Sequence, residues 1–180
     1  MEISFAVSRQ SYCKKRQVGA TIVKDNNIVS IGYNGTAIGA KNNCEKKTDM
    51  LKCSNCKTIF KYHKKNSNAY CPSCHSLVSK KRLATKETVF HAEENAILQA
   101  AKNGKSTKNA SIFVTTSPCI NCARLIVNSG IGAVYFYDKF SDLSSISFLK
   151  KSGIYVKQIK RDNFMNGRFK NDANSRYNKN

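Results

Sequence analysis

Apolar and polar positions along the chain switch between two periods. Residues 2–12 place Ile3, Phe5, Ala6 and Val7 as the apolar face of a helix. Gly19–Lys24 and residues 28–33 read as strands around the turn Asp25-Asn26-Asn27, so they predict a hairpin. Asn34-Gly35 marks a further turn. From about residue 41 to 82 the pattern fades into a basic, polar stretch with little periodicity, read as an insertion that apolar burial alone does not fold. Residues 91–102 then predict a strong helix stopped by Asn103-Gly104. Ser111–Thr116 reads as a strand, 119–128 as a helix ended by Gly130, 133–137 as a strand, and 154–159 as a last β-like run. Residues 161–180 are polar and read as a mobile tail. Alternation of this kind implies a layered α/β domain, and no internal repeat is visible.

Composition narrows the class. A chain of 180 residues, 41% hydrophobic, holds one domain with a core and room for a small insertion. No run approaches the ~18 apolar residues of a membrane span. The start, Met1 to Val7, lacks a basic segment followed by a long apolar one, which points to a cytoplasmic, reducing setting without membrane association. There the eight cysteines read as metal ligands or free thiols rather than as disulfides. The formal charge of +20 is compatible with nucleic-acid binding or with drawing small anions into a cleft. The lysines are scattered, however, and a solvated surface accounts for most of them.

Two short segments carry the chemistry: His91-Ala92-Glu93 and Pro118-Cys119-Ile120-Asn121-Cys122. A catalytic zinc takes three protein ligands and leaves a fourth position for water, and His91, Cys119 and Cys122 meet that need. A two-residue gap between cysteines in the first turn of a helix lets both sulfurs converge on one ion, and the helix N-terminus favours thiolates. Glu93, beside the metal but not bound to it, is placed to carry protons between water and substrate. H-x-E together with P-C-x-x-C is the signature of zinc nucleobase deaminases. Either half alone is weak, since a lone C-x-x-C is also a redox pair or part of a structural site.

Through these and neighbouring segments the chain resembles the deoxycytidylate (dCMP) deaminases of the cytidine deaminase superfamily. The resemblance rests on Gln17-Val18-Gly19-Ala20, Gly32-Tyr33-Asn34-Gly35, residues 91–97, residues 116–123, Ser129-Gly130-Ile131 and Val134-Tyr135. It implies a three-layer α/β/α domain around a five-stranded mixed sheet, over residues 1–160 and interrupted by an insertion at 45–82. It also implies hydrolytic deamination of dCMP to dUMP and ammonia, homo-oligomers that are often hexamers, and allosteric control by dCTP and dTTP. An Mg2+ ion accompanying such an effector is left open. Asn34 is expected at the sugar and base, Ser117 and the Ala92 backbone at the base edge, and Arg16, Arg124 or backbone amides at the 5′-phosphate. Family members place a tyrosine near that phosphate where this chain has Phe140, so either Tyr137 substitutes or the phosphate contact is weaker here.

Cys53-x2-Cys56 and Cys71-x2-Cys74, fourteen residues apart, have the spacing of a four-cysteine zinc ribbon. In such a ribbon ligation supplies the folding energy a tiny core lacks. His63 and His75 are alternative ligands. The resemblance puts cysteines that help bind a structural zinc near Cys13 and Cys44. These two either join a histidine or trade with the ribbon cysteines, or they are free buried thiols. The lysines around the ribbon keep a second activity in view, deamination of tRNA or single-stranded DNA gripped by the ribbon. The intact Glu93 and zinc triad argue against a non-catalytic binding protein on the same scaffold.

Overall fold

The computed structural model describes residues 1–62, 69–78, 81–140 and 144–160, except the side chains of residues 81 and 82. The tail read at 161–180 lies outside these residues, as does His63. Helix α1 (Glu2–Ser8) leads into the hairpin of β1 (Gly19–Lys24) and β2 (Asn27–Tyr33). Asp25 and Asn26 both take positive φ there, the geometry that matches a tight turn to the twist of its strands. After the insertion come α2 (Ala92–Lys102), β8 (Ser111–Thr116), α3 (Ile120–Asn128), β9 (Ala133–Asp138), α4 (Ser144–Lys151) and β10 (Tyr155–Gln158). The insertion itself holds β3 (Glu45–Lys52), β4 (Ile59–Lys61), β5 (Ala69–Tyr70), β6 (Leu77–Val78) and β7 (Lys81–Thr85).

The central sheet has the order β10-β9-β8-β1-β2. The β1–β2 and β1–β8 pairs are antiparallel, while β8–β9 and β9–β10 are parallel, so the sheet is mixed as expected. Its pleat assigns the faces. Ala20, Ile22, Ile112, Val114 and Val134 turn to one side, where they pack with Ala92 and Ala96 of α2, Ile126 of α3 and Leu149 of α4. Thr21, Phe113 and Tyr135 occupy the opposite face, and α1 covers part of it. The domain is therefore a sheet between one helix and three.

Three readings of the sequence change here. Helix α1 is shorter than residues 2–12, and it buries Ser4, Val7 and Ser8 while Ile3 and Ala6 are exposed. The reason is close approach. A Cβ on Gly19 would collide with the Ser4 carbonyl oxygen and the Ser8 amide nitrogen, so only small side chains fit between helix and strand. Ser4 Oγ pairs there with Thr21 Oγ1 at 2.9 Å and lies 3.0 Å from the Phe113 carbonyl oxygen. Helix α4 has no counterpart in the sequence reading. The insertion is also more ordered than its pattern suggests: β4-β3-β7 form one sheet and β5-β6 another.

Gly32 makes the same kind of close contact with α2. A Cβ there would fall on the Ala92 carbonyl oxygen and the Ala96 amide nitrogen. Gly32→Ala is therefore expected to lower stability by about 1–3 kcal/mol, the usual range for overpacking, and to push α2 off the sheet. Thermal unfolding of the variant checks the first effect and its zinc content the second. An unchanged midpoint would mean that the helix moves freely.

Candidate active site

The site forms where α2 and α3 begin on the same face of the sheet. His91 is the N-cap of α2 in extended conformation, and its backbone N–H donates to Glu94 Oε2 at 3.3 Å. Cys119 is the N-cap of α3, with Cys122 one turn further in. His91 Nδ1 stands 3.5 Å from Cys119 Sγ and 3.4 Å from Cys122 Sγ, and the three ligand atoms all lie within 4.8 Å of one another. Around a tetrahedral zinc, nitrogen-to-sulfur edges are about 3.6 Å from ordinary bond lengths. The donor set fits zinc and leaves a fourth position open.

Glu93 is buried beside this group, outside the ligand set. Desolvation pushes its carboxyl up to about 7, against the opposing pull of its own backbone N–H and of His91. The hydrogen bond with Cys122 draws the Cys119 thiol down to about 4, helped by His91. The same pairing, together with burial, pushes Cys122 up. The bond to Cys119 raises His91. The three side chains are thus coupled to one another, and a bound divalent cation favours the deprotonated thiols.

The surrounding residues divide clearly. Ser117 is buried; its N–H donates to the Asp138 carbonyl at 2.8 Å and its Oγ accepts the Phe140 N–H at 2.7 Å. Phe140 is thus held against the Pro-Cys turn. Ala92 is fully buried at the start of α2. Asn34 spans the loop before β1: its Oδ1 accepts the Val18 N–H at 2.8 Å, and its Nδ2 donates to the Arg16 carbonyl at 2.9 Å. Its amide is therefore largely committed to shaping the loop that carries Arg16, whose own side chain is exposed. Arg124 sits on the exposed face of α3, opposite the buried Cys122, Ala123 and Ile126. Tyr137 turns to the α1 face and meets Phe5 edge-on at 5.1 Å. Strand alternation sends it away from the side on which the zinc ligands gather.

Cys13 and Cys44 are joined in a disulfide, which corrects their reading as metal ligands or free thiols. Both are buried against Val89, a neighbour that offers no donor to a metal. The bridge ties the loop before β1 to the root of the insertion, where Glu45 Oε1 accepts the Lys15 N–H at 2.9 Å. The four ribbon cysteines do converge, and exposed His75 stands outside their group.

Several supporting residues escaped the sequence reading. Glu94 occupies the third helical position after an N-cap, a legible capping signal. Asn95 Nδ2 donates to the Tyr33 carbonyl at 2.7 Å, fastening α2 to the end of β2. Ser145, buried on the unforeseen α4, donates to the Pro118 carbonyl at 2.6 Å, and no sequence signal links residues so far apart.

Three ligands with an open fourth position and a buried, unbound carboxyl beside them define a metal-assisted hydrolase. Residues 1–138 match the model of the cytidine and deoxycytidylate deaminase zinc-binding region. The chain belongs to this family of zinc-dependent deaminases. It is 32% identical over 173 residues to the deoxycytidylate deaminase of Enterobacteria phage T4, covering 91% of this chain and 89% of the phage protein. It is 30% identical over 159 residues to that of Schizosaccharomyces pombe, covering 88% of this chain and 42% of the yeast protein. The dCMP deaminase of cyanophage S-TIM5, solved with dCMP and dUMP, superposes with a TM-score of 0.64 at 26% identity, covering 88% of this chain and 92% of that one. Among the described residues no helix is long and apolar enough to cross a membrane.

Proposed function

We propose that the protein hydrolyses dCMP to dUMP and ammonia at the His91, Cys119 and Cys122 centre. Residues 1–160, interrupted by 45–82, serve as its catalytic domain. The observation that carries this reading is the buried Glu93 carboxyl beside three zinc ligands at the starts of α2 and α3. Zinc bound there supplies the Lewis acidity that makes water reactive near neutral pH. Glu93 takes a proton from the attacking water and delivers it to N3 of cytosine while oxygen bonds to C4. A second proton passes through Glu93 to the amino group, the C4–N bond breaks, and ammonia leaves. A carboxyl raised to about 7 by burial suits both directions of transfer.

The other residues hold the base and the sugar phosphate. Ser117 accepts its hydrogen bond from the Phe140 amide, so its own hydroxyl proton remains to donate to an acceptor on the base edge. The Ala92 backbone borders the same edge. Asn34 shapes the loop before β1 and presents Arg16 to the 5′-phosphate. Phe140 offers a ring face and its bound amide, and no side-chain hydrogen bond, at the place where the family carries a tyrosine. The free nucleotide is favoured because phage relatives of nearly the same length are dCMP deaminases, one solved with dCMP and dUMP. Homo-oligomers, control by dCTP and dTTP with Mg2+, and a cytoplasmic setting belong to the same reading. A structural zinc outside this pocket is expected from the spacing of the ribbon cysteines.

A panel assay of ammonia release tests the substrate. With dCMP, deoxycytidine, CMP, dCTP, tRNA and single-stranded DNA offered separately, dCMP is expected to give the highest kcat/KM, well above deoxycytidine, which lacks the phosphate. Preference for a polynucleotide would replace this reading with that of a strand-editing enzyme.

A further inference from the structure

The four cysteines of the insertion form a ligand cluster that deamination does not use. They sit in two knuckles built alike. Cys53 N–H donates to the Thr58 carbonyl at 2.9 Å, and Cys71 N–H to the Ser76 carbonyl at 2.9 Å. The residue after the second cysteine of each pair, Lys57 and His75, has φ of 64° and 56°. Residues that carry a Cβ hold this left-handed conformation only when their surroundings impose it. The knuckles also repeat a hydroxyl near the second sulfur: Thr58 Oγ1 is 3.2 Å from Cys56 Sγ, and Ser76 Oγ is 3.3 Å from Cys74 Sγ.

The sulfurs meet across the knuckles. Cys53 Sγ lies 3.5 Å from Cys74 Sγ, and Cys56 Sγ lies 3.4 Å from Cys71 Sγ, with all four within 4.8 Å. Sulfur-to-sulfur edges around a tetrahedral zinc are about 3.8 Å, so a small expansion of this cage admits the ion. The four cysteines are unpaired, and their spacings are those of thiols in contact, not bonded to each other.

Apolar burial is a weak alternative for holding this region. The cluster around the cysteines contains Leu51, Ala69 and Val78, with Phe60 and Tyr62 only partly buried. Tyr70 and Leu77, on the paired strands β5 and β6, are exposed. Those strands have two residues each, and a hairpin of that size is not stable on its own in water. Basic side chains such as Lys52, Lys57 and Lys61 surround the cluster and add no buried area of their own, being exposed.

We propose that Cys53, Cys56, Cys71 and Cys74 are the thiolate ligands of a second zinc ion, and that this ion, rather than apolar packing, folds β3–β7 into their two sheets. All-thiolate coordination closes the site, so the metal serves structure and not turnover. The antiparallel pair of β3 and β7 is where this matters for the enzyme. One leg, β3, starts beside the Cys13–Cys44 bridge, and the other, β7, continues through Lys86, whose N–H donates to the Cys44 carbonyl, towards Val89 and His91. The proposal concerns metal and fold only, and stands whether or not dCMP is the substrate.

The test uses the full chain purified without added metal. Elemental analysis is expected to give two zinc ions per chain. Cys71→Ser combined with Cys74→Ser is expected to leave one, with the catalytic centre still loaded. In that variant hydrogen exchange in β3 and β7 should rise by about tenfold or more while α2 and α3 stay protected. A variant that loses its second zinc yet keeps β3 and β7 protected overturns the folding role. Should the variant not fold, the wild-type chain decides the metal question. Cobalt-loaded protein is expected to show thiolate-to-metal absorption from six sulfurs. Absorption from two sulfurs, a single zinc, or an intact mass lower by the four hydrogens of two disulfides among these cysteines overturns the centre.

Discussion

Glu93→Gln is expected to lower kcat for dCMP by about a thousandfold, within the range that general acid–base groups contribute, while leaving the protein folded and the catalytic zinc in place. The side chain is buried and lies outside the ligand group, so an amide of the same size changes neither packing nor coordination much. It cannot take a proton from water and return it to N3 and to the amino group. Ammonia release measured beside zinc content separates the two effects. A folded, zinc-loaded variant with full activity would remove Glu93 from the reaction.

Cys119→Ala is expected to lose both the metal and the activity. Cys119 is the N-cap of α3 in extended conformation, so alanine keeps the backbone of the helix start and removes the ligand together with its hydrogen bond to Cys122. Two ligands, His91 and Cys122, then remain, and the water that zinc would bring from a pKa of about 15.7 towards about 7 is no longer activated. Zinc analysis should show one equivalent fewer per chain, with turnover at background. Retained zinc and turnover would mean that Cys119 is not a ligand. The contrast between the two variants is the sharper result: one keeps metal without activity, the other keeps neither.

Much of the site was legible because its geometry is local. The sequence His91-Ala92-Glu93 places a ligand and a carboxyl two residues apart at one helix start, whatever surrounds them. Cys119 and Cys122 share the entrance to one helix, and the structure needs only to set two helix starts side by side. The ribbon spacing and the β1–β2 hairpin were readable for the same reason. Periodicity misled where contact is closest. At α1 the apolar residues looked like the buried face, but the approach to Gly19 admits serines, so hydrogen bonds replace apolar packing there. Helix α4 was missed, and with it the Ser145 bond that fixes the Pro118 carbonyl.

By itself the sequence determined which atoms can bind zinc, which carboxyl stands next to them, and that an α/β layer carries both, because these depend on neighbours along the chain. Tertiary structure decided the rest. Burial between helix and sheet, not the identity of Glu93, raises its carboxyl. The pleat sends Tyr137 to Phe5 and α1, while the Ser117 hydroxyl draws the Phe140 backbone to the site. The fold brings Cys13 and Cys44, 31 residues apart, into a bridge that spacing did not announce. Each of these depends on segments far apart in sequence meeting in space, and the local pattern of apolar and polar residues does not record those meetings.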